Sequence, residues 1–126
     1  MVGIVIVSHS AKLAEGVVDA TRIMADGCPI AAAGGMDDGG YGTSYGKILD
    51  AVERVHSDDG VIVLADMGSA VMTAEMVIGD SGYSDVLLLD CPIAEGAIVA
   101  SIASVCGDSL EEVKRQALSA KTQPKW

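Results

Sequence analysis

The chain has 126 residues, of which 50% are hydrophobic and 21% charged, and its 18 acidic and 8 basic side chains give a formal net charge of -10. This length and apolar content predict a single domain spanning residues 1–126 and exclude a disordered or fibrous chain. The negative charge argues against nucleic acid and anionic membranes as partners. Because the chain has no Phe and one Trp, we expect a core built from aliphatic side chains.

The spacing of the cysteines and the residues at the amino terminus indicate the cellular compartment. Cys28, Cys91 and Cys106 form no Cys-x-x-Cys pair, so we interpret them as small core residues in a reducing environment. The apolar run Val2–Val7 is too short for a signal peptide or a membrane span. These features predict a soluble cytoplasmic protein. Because no His, Cys or acidic residues have metal-ligand spacing, no metal site is predicted.

Short apolar runs alternate along the chain with segments of helical spacing. Strands are predicted at Val2–Val7, Pro29–Ala33, Val61–Ala65 and Asp85–Leu89. Helices are predicted at Ala11–Ala25, from a cap at Thr43 or Ser44 through Val55, at about Ala70–Ile78, at Ile93–Val105, and from a cap at Ser109 to about Ala120. A βα unit repeated four times plus a C-terminal helix predicts an α/β fold: one open, mainly parallel four-stranded sheet with helices on both faces. Residues 121–126 are expected to form a frayed tail.

Three polar segments each follow a predicted strand and precede a predicted helix. They are Ser8–Ser10, Gly39–Ser44 and Asp66–Ser69. Ligands of open α/β sheets bind beyond the carboxyl ends of the strands, and helix N-termini offer unpaired N–H groups that suit an anion. Three such segments meeting in one crevice would hold a phosphoryl group without any Lys or Arg.

His9 is the candidate reactive group because it lies where the first strand gives way to a helix. A neutral imidazole is a nucleophile near pH 7 and can carry a phosphoryl group as a phosphoramidate. Asp66 ends the third strand, and its carboxylate would accept a proton from one ring nitrogen and so aim the other. Two structural alternatives stay open at this point. His9 would merely cap the turn, or Asp66 would cap the next helix, a role that is compatible with orienting the ring.

Other motifs are given structural interpretations. The loop Gly40–Lys47 fits neither the spacing of a P-loop nor that of a dinucleotide fingerprint. His56, beside two aspartates at a helix end, is predicted to be a surface residue. Met67, Met72 and Met76 are expected to pack in the core, with a patch at the mouth of the site as the alternative.

Several segments together are similar to the DhaM family, the phosphotransferase subunits of bacterial dihydroxyacetone kinases. They are Val5–Ser10 with Leu13–Val17, Gly35–Asp38 with Gly42 and Thr43, Asp66–Ala70, and Pro92–Gly96. The resemblance covers the chain from Val2 to about Ala120. More distantly, the chain resembles the IIA domains of the mannose-type sugar phosphotransferase system.

The resemblance implies a phosphocarrier. His9 would accept a phosphoryl group from phospho-HPr, originally from phosphoenolpyruvate, and pass it to ADP held in the DhaL subunit. The regenerated ATP would then phosphorylate dihydroxyacetone on DhaK, so that ADP and ATP stay on the partner and this chain binds no cofactor. Asp66 would orient His9. The phosphate would be bound by Ser10, Gly42, Thr43, Met67, Gly68 and Ser69.

The resemblance also implies a homodimer. Because some family members continue into HPr-like modules and this sequence ends at Trp126, we expect it to depend on a separate HPr. Two alternatives use the same histidine: a mannose-type IIA protein that passes the phosphoryl group to a IIB permease domain, and a regulatory module that binds a partner according to its phosphorylation state.

Overall fold

Four parallel strands form one sheet in the computed structural model, which describes residues 1–126. The strands are β1 (Gly3–Ser8), β2 (Ile30–Gly34), β3 (Val61–Ala65) and β4 (Val86–Leu89), in the order β2-β1-β3-β4. The helices are α1 (Ala11–Met24), α2 (Tyr45–Val55), α3 (Gly68–Ser81), α4 (Ile93–Val105) and α5 (Leu110–Ser119). The predicted α/β class and element order are confirmed.

The two faces of the sheet are covered by different helices, because successive side chains of a strand point to opposite faces. Ile4 and Ile6 of β1 pack with buried residues of α1, α4 and α5. Val5 and Val7 pack on the other face with buried residues of α2 and α3. All six residues of β1 are buried, as expected for a central strand of a parallel sheet. This burial fixes the position at which the chain leaves β1 and enters the polar segment that follows.

Serine caps begin three of the helices, whereas α3 begins without one. Ser10, Ser44 and Ser109 each accept a hydrogen bond from the backbone N–H three residues later. The cap residue of α3 is Met67, whose side chain makes no capping bond. This helix also starts two residues earlier and ends three residues later than predicted. Gly68 and Ser69 have weak helix propensity, which led to the later predicted start, but both lie in the exposed first turn of the helix.

Several expected core residues lie at the surface instead. The three methionines in and beside α3 are exposed rather than buried: Met67, Met72 and Met76. Cys106 is also exposed, whereas Cys28 and Cys91 are half-buried. Burial raises the pKa of Cys91 to about 11, so its thiol stays protonated near neutral pH.

His56 is half-buried rather than a surface residue. Its Nε2 lies 2.8 Å from Asp85 Oδ1, and its ring stacks on Tyr83 with the centroids 3.9 Å apart. This histidine joins the end of α2 to the start of β4, at the amino edge of the sheet. None of the five helices has the length and apolar character needed to cross a bilayer.

Gly34 allows the end of β2 to approach the start of α1. A Cβ at this position would lie 2.7 Å from the carbonyl oxygen of Ser10 and 2.9 Å from the Cβ of Ala14. We therefore expect Gly34→Ala to lower the free energy of unfolding by about 1–3 kcal/mol through overpacking. Urea unfolding monitored by circular dichroism measures this change.

Gly16→Ala is the matched control, because a Cβ at Gly16, within α1, would meet nothing within 4 Å. Alanine is favoured over glycine in a helix interior, so this variant should be more stable by about 0.5–1 kcal/mol. Equal destabilisation of both variants would contradict the close-packing interpretation.

Candidate functional site

The site lies where β1 and β3 end side by side. Val7 of β1 pairs with Ala65 of β3, so the residues that follow, His9 and Asp66, emerge at the same edge of the sheet. The chain passes from β1 to β2 on one side and then to β3 on the other. Such a reversal of strand order opens a crevice at the carboxyl edge of a parallel sheet. The predicted pairing of these two residues is found there, with His9 Nδ1 3.0 Å from Asp66 Oδ1.

Asp66 is held by four hydrogen-bonding contacts. Its Oδ2 accepts from the hydroxyl of Ser8 at 2.8 Å and from the backbone N–H of His9 at 3.1 Å. Its Oδ1 accepts from the backbone N–H of Met67 at 2.8 Å and faces His9 Nδ1. The Asp66 side chain is only 8% exposed. The carboxylate is therefore fixed in position on both of its oxygens, and it does not cap α3.

The protonation of Asp66 follows from these contacts. Burial raises the pKa of this carboxyl group, but the hydrogen bonds from Ser8 and from the backbone and ring of His9 outweigh burial and hold the pKa below its ordinary value. Because an ionised carboxylate only accepts hydrogen bonds, the ring must donate from Nδ1. In the neutral imidazole this leaves the lone pair on Nε2.

The second ring nitrogen points to the start of α3. Nε2 of His9 contacts the hydroxyl of Ser69, in the first turn of this helix. The backbone N–H groups of Gly68, Ser69 and Ala70 belong to that turn and have no intrahelical acceptor. Since no side chain caps α3, these donors and the positive end of the helix dipole remain available to an anion. The His9 side chain is 24% exposed, so a macromolecule can reach it.

The glycine-rich loop between β2 and α2 closes the site from the other side. The N–H of Gly42 donates to the His9 carbonyl oxygen at 3.0 Å. Gly42 has a φ of +139°, and a Cβ there would lie 2.8 Å from Met36 Sδ, so this position requires glycine. The hydroxyl of Thr43 lies 3.1 Å from that of Thr73 on α3.

The predicted site residues lie on the segments that contact His9, Asp66 or the start of α3, and their contacts differ. The Ser10 hydroxyl accepts from the N–H of Leu13 as a helix cap, and the N–H groups of Gly42 and Met67 are bound to other residues. Ser10, Gly42 and Met67 therefore make hydrogen bonds within the protein and contribute to the structure around His9. The Ser69 hydroxyl contacts His9 Nε2, and the N–H of Gly68 belongs to the uncapped first turn of α3.

Two residues that contribute to the site were assigned no role from the sequence, although one of them, Ser8, opens a predicted polar segment. Ser8 is fully buried and accepts from the N–H of Ser10 while donating to Asp66. Thr73 donates to the Ser69 carbonyl oxygen at 2.9 Å, one turn along α3. The four-residue spacing of Ser69 and Thr73 indicates a shared helix face and could have identified Thr73. A buried hydroxyl at the end of β1 has no comparable pattern in the sequence.

Comparisons with known proteins place the chain in a class. Residues 3–114 match the family model EIIA-man, described as the "PTS system fructose IIA component". The crystal structure of EF1359, a protein of unknown function, has a TM-score of 0.84 to this fold at 27% sequence identity, covering 100% of this chain and 99% of that one. The chain belongs to the EIIA-man family of phosphotransferase-system proteins.

Curated relatives define the family more narrowly. The "PTS-dependent dihydroxyacetone kinase, phosphotransferase subunit DhaM" of Lactococcus lactis subsp. lactis is 33% identical over 90% of this chain and 91% of that protein. A "PEP-dependent dihydroxyacetone kinase 1, phosphoryl donor subunit DhaM" of Listeria innocua is 38% identical over 88% of this chain and 87% of that protein. Within the class, the chain belongs to the DhaM family.

Other DhaM proteins are much longer. The Escherichia coli K12 protein is 38% identical over 95% of this chain, but the match covers 27% of its own length. The Klebsiella michiganensis protein shows the same 27% coverage. This chain therefore corresponds to about a quarter of the length of these longer relatives.

The lowered pKa of Asp66 predicts how acid affects stability. A carboxyl group whose pKa is lower in the folded than in the unfolded state contributes stability that is complete above the unfolded value, about 3.9 for Asp, and is lost as the pH falls through the folded value. We therefore expect the wild-type protein to exceed Asp66→Asn in free energy of unfolding by about 1.5–3 kcal/mol at pH 5, the range for hydrogen bonds to a charged group.

This difference should shrink as the pH falls through the lowered pKa of Asp66 in the folded protein, because protonation then removes the charge of the wild-type carboxylate. Urea unfolding of both proteins at a series of pH values measures it. A difference that stays constant from pH 5 to pH 2 would show that the Asp66 charge is not the stabilising feature.

Proposed function

We propose that this chain is the phosphoryl donor subunit of a phosphoenolpyruvate-dependent dihydroxyacetone kinase, carrying the phosphoryl group on Nε2 of His9. The observation on which this proposal rests is the geometry of the His9 ring, held at Nδ1 by Asp66 and directed at Nε2 toward the uncapped start of α3. The names of the DhaM relatives support the same activity.

In the first step, the Nε2 lone pair attacks phosphorus on phospho-HPr. The N–P bond to His9 forms as the N–P bond to the histidine of HPr breaks. The proton on Nδ1 stays in place, and the Asp66 carboxylate balances the positive charge that develops on the ring. Transfer between two histidines is close to thermoneutral, so the protein has only to position the groups and stabilise charge.

The carried phosphoryl group would lie at the start of α3. The Ser69 hydroxyl, now in contact with Nε2, would turn to donate to a phosphoryl oxygen. The N–H groups of Gly68 and Ser69 and the helix dipole would stabilise the negative charge. Thr43, whose hydroxyl already contacts Thr73 at this rim, is the further donor that we assign to the phosphate.

In the second step, an oxygen of the ADP β-phosphate, held in DhaL, attacks phosphorus. The P–O bond forms, the N–P bond breaks, and the electron pair returns to Nε2 of His9. The ATP stays on DhaL and phosphorylates dihydroxyacetone on DhaK. We propose no cofactor on this chain, since the nucleotide remains on the partner. We propose a cytoplasmic homodimer, which sedimentation would reveal as twice the 12.8 kDa chain mass.

A second candidate function is that of a mannose-type IIA protein that passes the phosphoryl group to a IIB domain. The description of the matching family model favours it. The two candidate functions differ in their acceptor. We would incubate the phosphorylated protein separately with DhaL–ADP and with a IIB domain, because only its acceptor should remove the phosphoryl group rapidly.

His9→Ala should abolish phosphorylation by phosphoenolpyruvate, enzyme I and HPr, because it removes the nucleophile. Mass spectrometry under alkaline conditions, which preserve phosphohistidine, should show no added phosphoryl group on this variant. His56→Ala is the control: the other histidine is tied to Asp85 and should leave phosphorylation complete. A phosphorylated His9→Ala protein would contradict the mechanism.

Salt should slow phosphorylation by HPr. The chain carries a net charge of -10, which would attract a basic face of the donor, and screening weakens such steering as the Debye length falls from about 30 Å at 0.01 M to about 8 Å at 0.15 M. The second-order rate constant, measured by rapid quench across this range, should decrease. A rate constant independent of salt would rule out electrostatic steering of the donor.

A further inference from the structure

The partners of the buried hydroxyl groups separate Ser8 from the others. A hydroxyl is costly to bury unless it is hydrogen-bonded, and most such groups bond to the backbone. Three fully buried hydroxyls follow this rule and donate to backbone carbonyl oxygens: Thr21 to Val18, Ser101 to Ile98 and Ser104 to Val2. Ser8 is equally buried, but its hydroxyl donates to the side chain of Asp66.

The hydrogen bonds of Ser8 fix the direction of its proton. Its oxygen accepts from the N–H of Ser10 at 3.0 Å and lies 2.8 Å from Asp66 Oδ2. Because the lowered pKa of Asp66 keeps this carboxylate ionised near neutral pH, the carboxylate can only accept. The Ser8 proton therefore points to Oδ2, and the backbone of Ser10 holds the hydroxyl in that direction.

The position of Ser8 is set by the sheet. Ser8 is the last residue of β1, a strand whose six residues are all buried, and it lies opposite Gly34 of β2. A fully buried side chain cannot touch a protein that docks at His9. Any effect of Ser8 on the chemistry must therefore pass through Asp66.

The carboxylate of Asp66 has two partners on each oxygen. Oδ1 faces His9 Nδ1 and accepts from the N–H of Met67, whereas Oδ2 accepts from the Ser8 hydroxyl and from the N–H of His9. Removal of the Ser8 hydroxyl would leave Oδ2 with a single donor. Because the Asp66 side chain is only 8% exposed, water would not readily replace the lost bond. The carboxylate would then be free to rotate, and Oδ1 would no longer be held on Nδ1.

We propose that Ser8 is a positioning residue for phosphoryl transfer, which holds Oδ2 of Asp66 so that Oδ1 stays on Nδ1 of His9. The ring then keeps its proton on Nδ1 and its lone pair on Nε2, the nitrogen that points to the start of α3. The inference rests on the proposed function and adds to it a residue that neither the phosphoryl donor nor the acceptor touches.

The tautomer of His9 provides a measurement that needs no partner protein. In alkaline solution the ring is neutral, and 15N NMR distinguishes its protonated nitrogen from the one that carries the lone pair. The wild-type protein should show the proton on Nδ1. Ser8→Ala should show both nitrogens at intermediate shifts, because the ring then exchanges between its two tautomers. Wild-type shifts in Ser8→Ala would overturn the inference.

Ser104→Ala is the matched control, because it also removes a fully buried hydroxyl, which donates to the Val2 carbonyl oxygen at 2.6 Å. This variant should lose stability and keep the wild-type tautomer of His9. Equal changes at His9 in both variants would indicate a general loosening of the fold and contradict a specific role of Ser8. If Ser8→Ala does not fold, Ser8→Cys takes its place, since its thiol fills the site and is only a weak donor.

Kinetics of phosphorylation separate positioning from docking. Ser8→Ala should lower the limiting rate constant at saturating phospho-HPr about tenfold or more, the factor expected for the loss of a hydrogen bond to a charged group. The concentration of phospho-HPr that gives half of this rate should not change, because Ser8 is buried away from the donor. Rapid quench measures both quantities. A changed half-saturating concentration with an unchanged limiting rate constant would rule out a positioning role.

The outcomes separate the two proposals. A wild-type protein that keeps the proton on Nδ1 but accepts no phosphoryl group from phospho-HPr would overturn the proposed function, and the NMR comparison would still decide whether Ser8 orients the ring. Phosphorylation of the wild-type protein with equal limiting rate constants in Ser8→Ala would leave the proposed function standing and remove the role of Ser8.

Discussion

The contact between Asp66 and Nδ1 of His9 is the interaction on which the rest of the site depends. It sets which ring nitrogen carries the proton and which carries the lone pair. It forms only because β1 and β3 are adjacent and parallel, with Val7 opposite Ala65. A slip of one residue in this pairing would move every side chain of the strand to the other face, and the two functional groups would separate. Sheet register is therefore part of the chemistry.

Helix capping differs among the helix ends at this edge of the sheet, since α1 and α2 begin with serine caps whereas α3 and α4 have no side-chain capping bond. Helices α1 and α2 have their first N–H groups satisfied by Ser10 and Ser44, so these ends contribute to stability. Helix α3 lacks a cap because the preceding carboxylate, Asp66, turns toward His9. Each unsatisfied N–H has a cost in stability, and here it leaves donors available for a phosphoryl group. One carboxylate thus orients the His9 ring and leaves the first turn of α3 without a side-chain cap.

Much of this arrangement could be predicted from the sequence, for a physical reason. Buried strands and amphipathic helices have distinct apolar periods, and parallel strands bring their carboxyl ends together, so His9 and Asp66 could be paired before any coordinates. The start of α3 differs from the prediction, because Gly68 and Ser69 are weak helix formers in a helix interior but are accommodated in its exposed first turn. Met72 and Met76 were assigned to the core, because apolar spacing does not distinguish an inward face from an exposed one when alanines supply the inward face.

The absence of a cation at His9 fits a carrier rather than a final acceptor. The amino group of Lys47, in the first turn of α2, is bound to the carbonyl oxygens of Gly34 and Met36. The donors beside Nε2 are a hydroxyl and backbone N–H groups. Hydrogen bonds from charged donors are roughly twice as strong as neutral ones, so an Arg or Lys clamp would hold the phosphoryl group more tightly. A group that must leave as readily as it arrives needs a site of intermediate strength. Neutral donors and a helix dipole provide that strength.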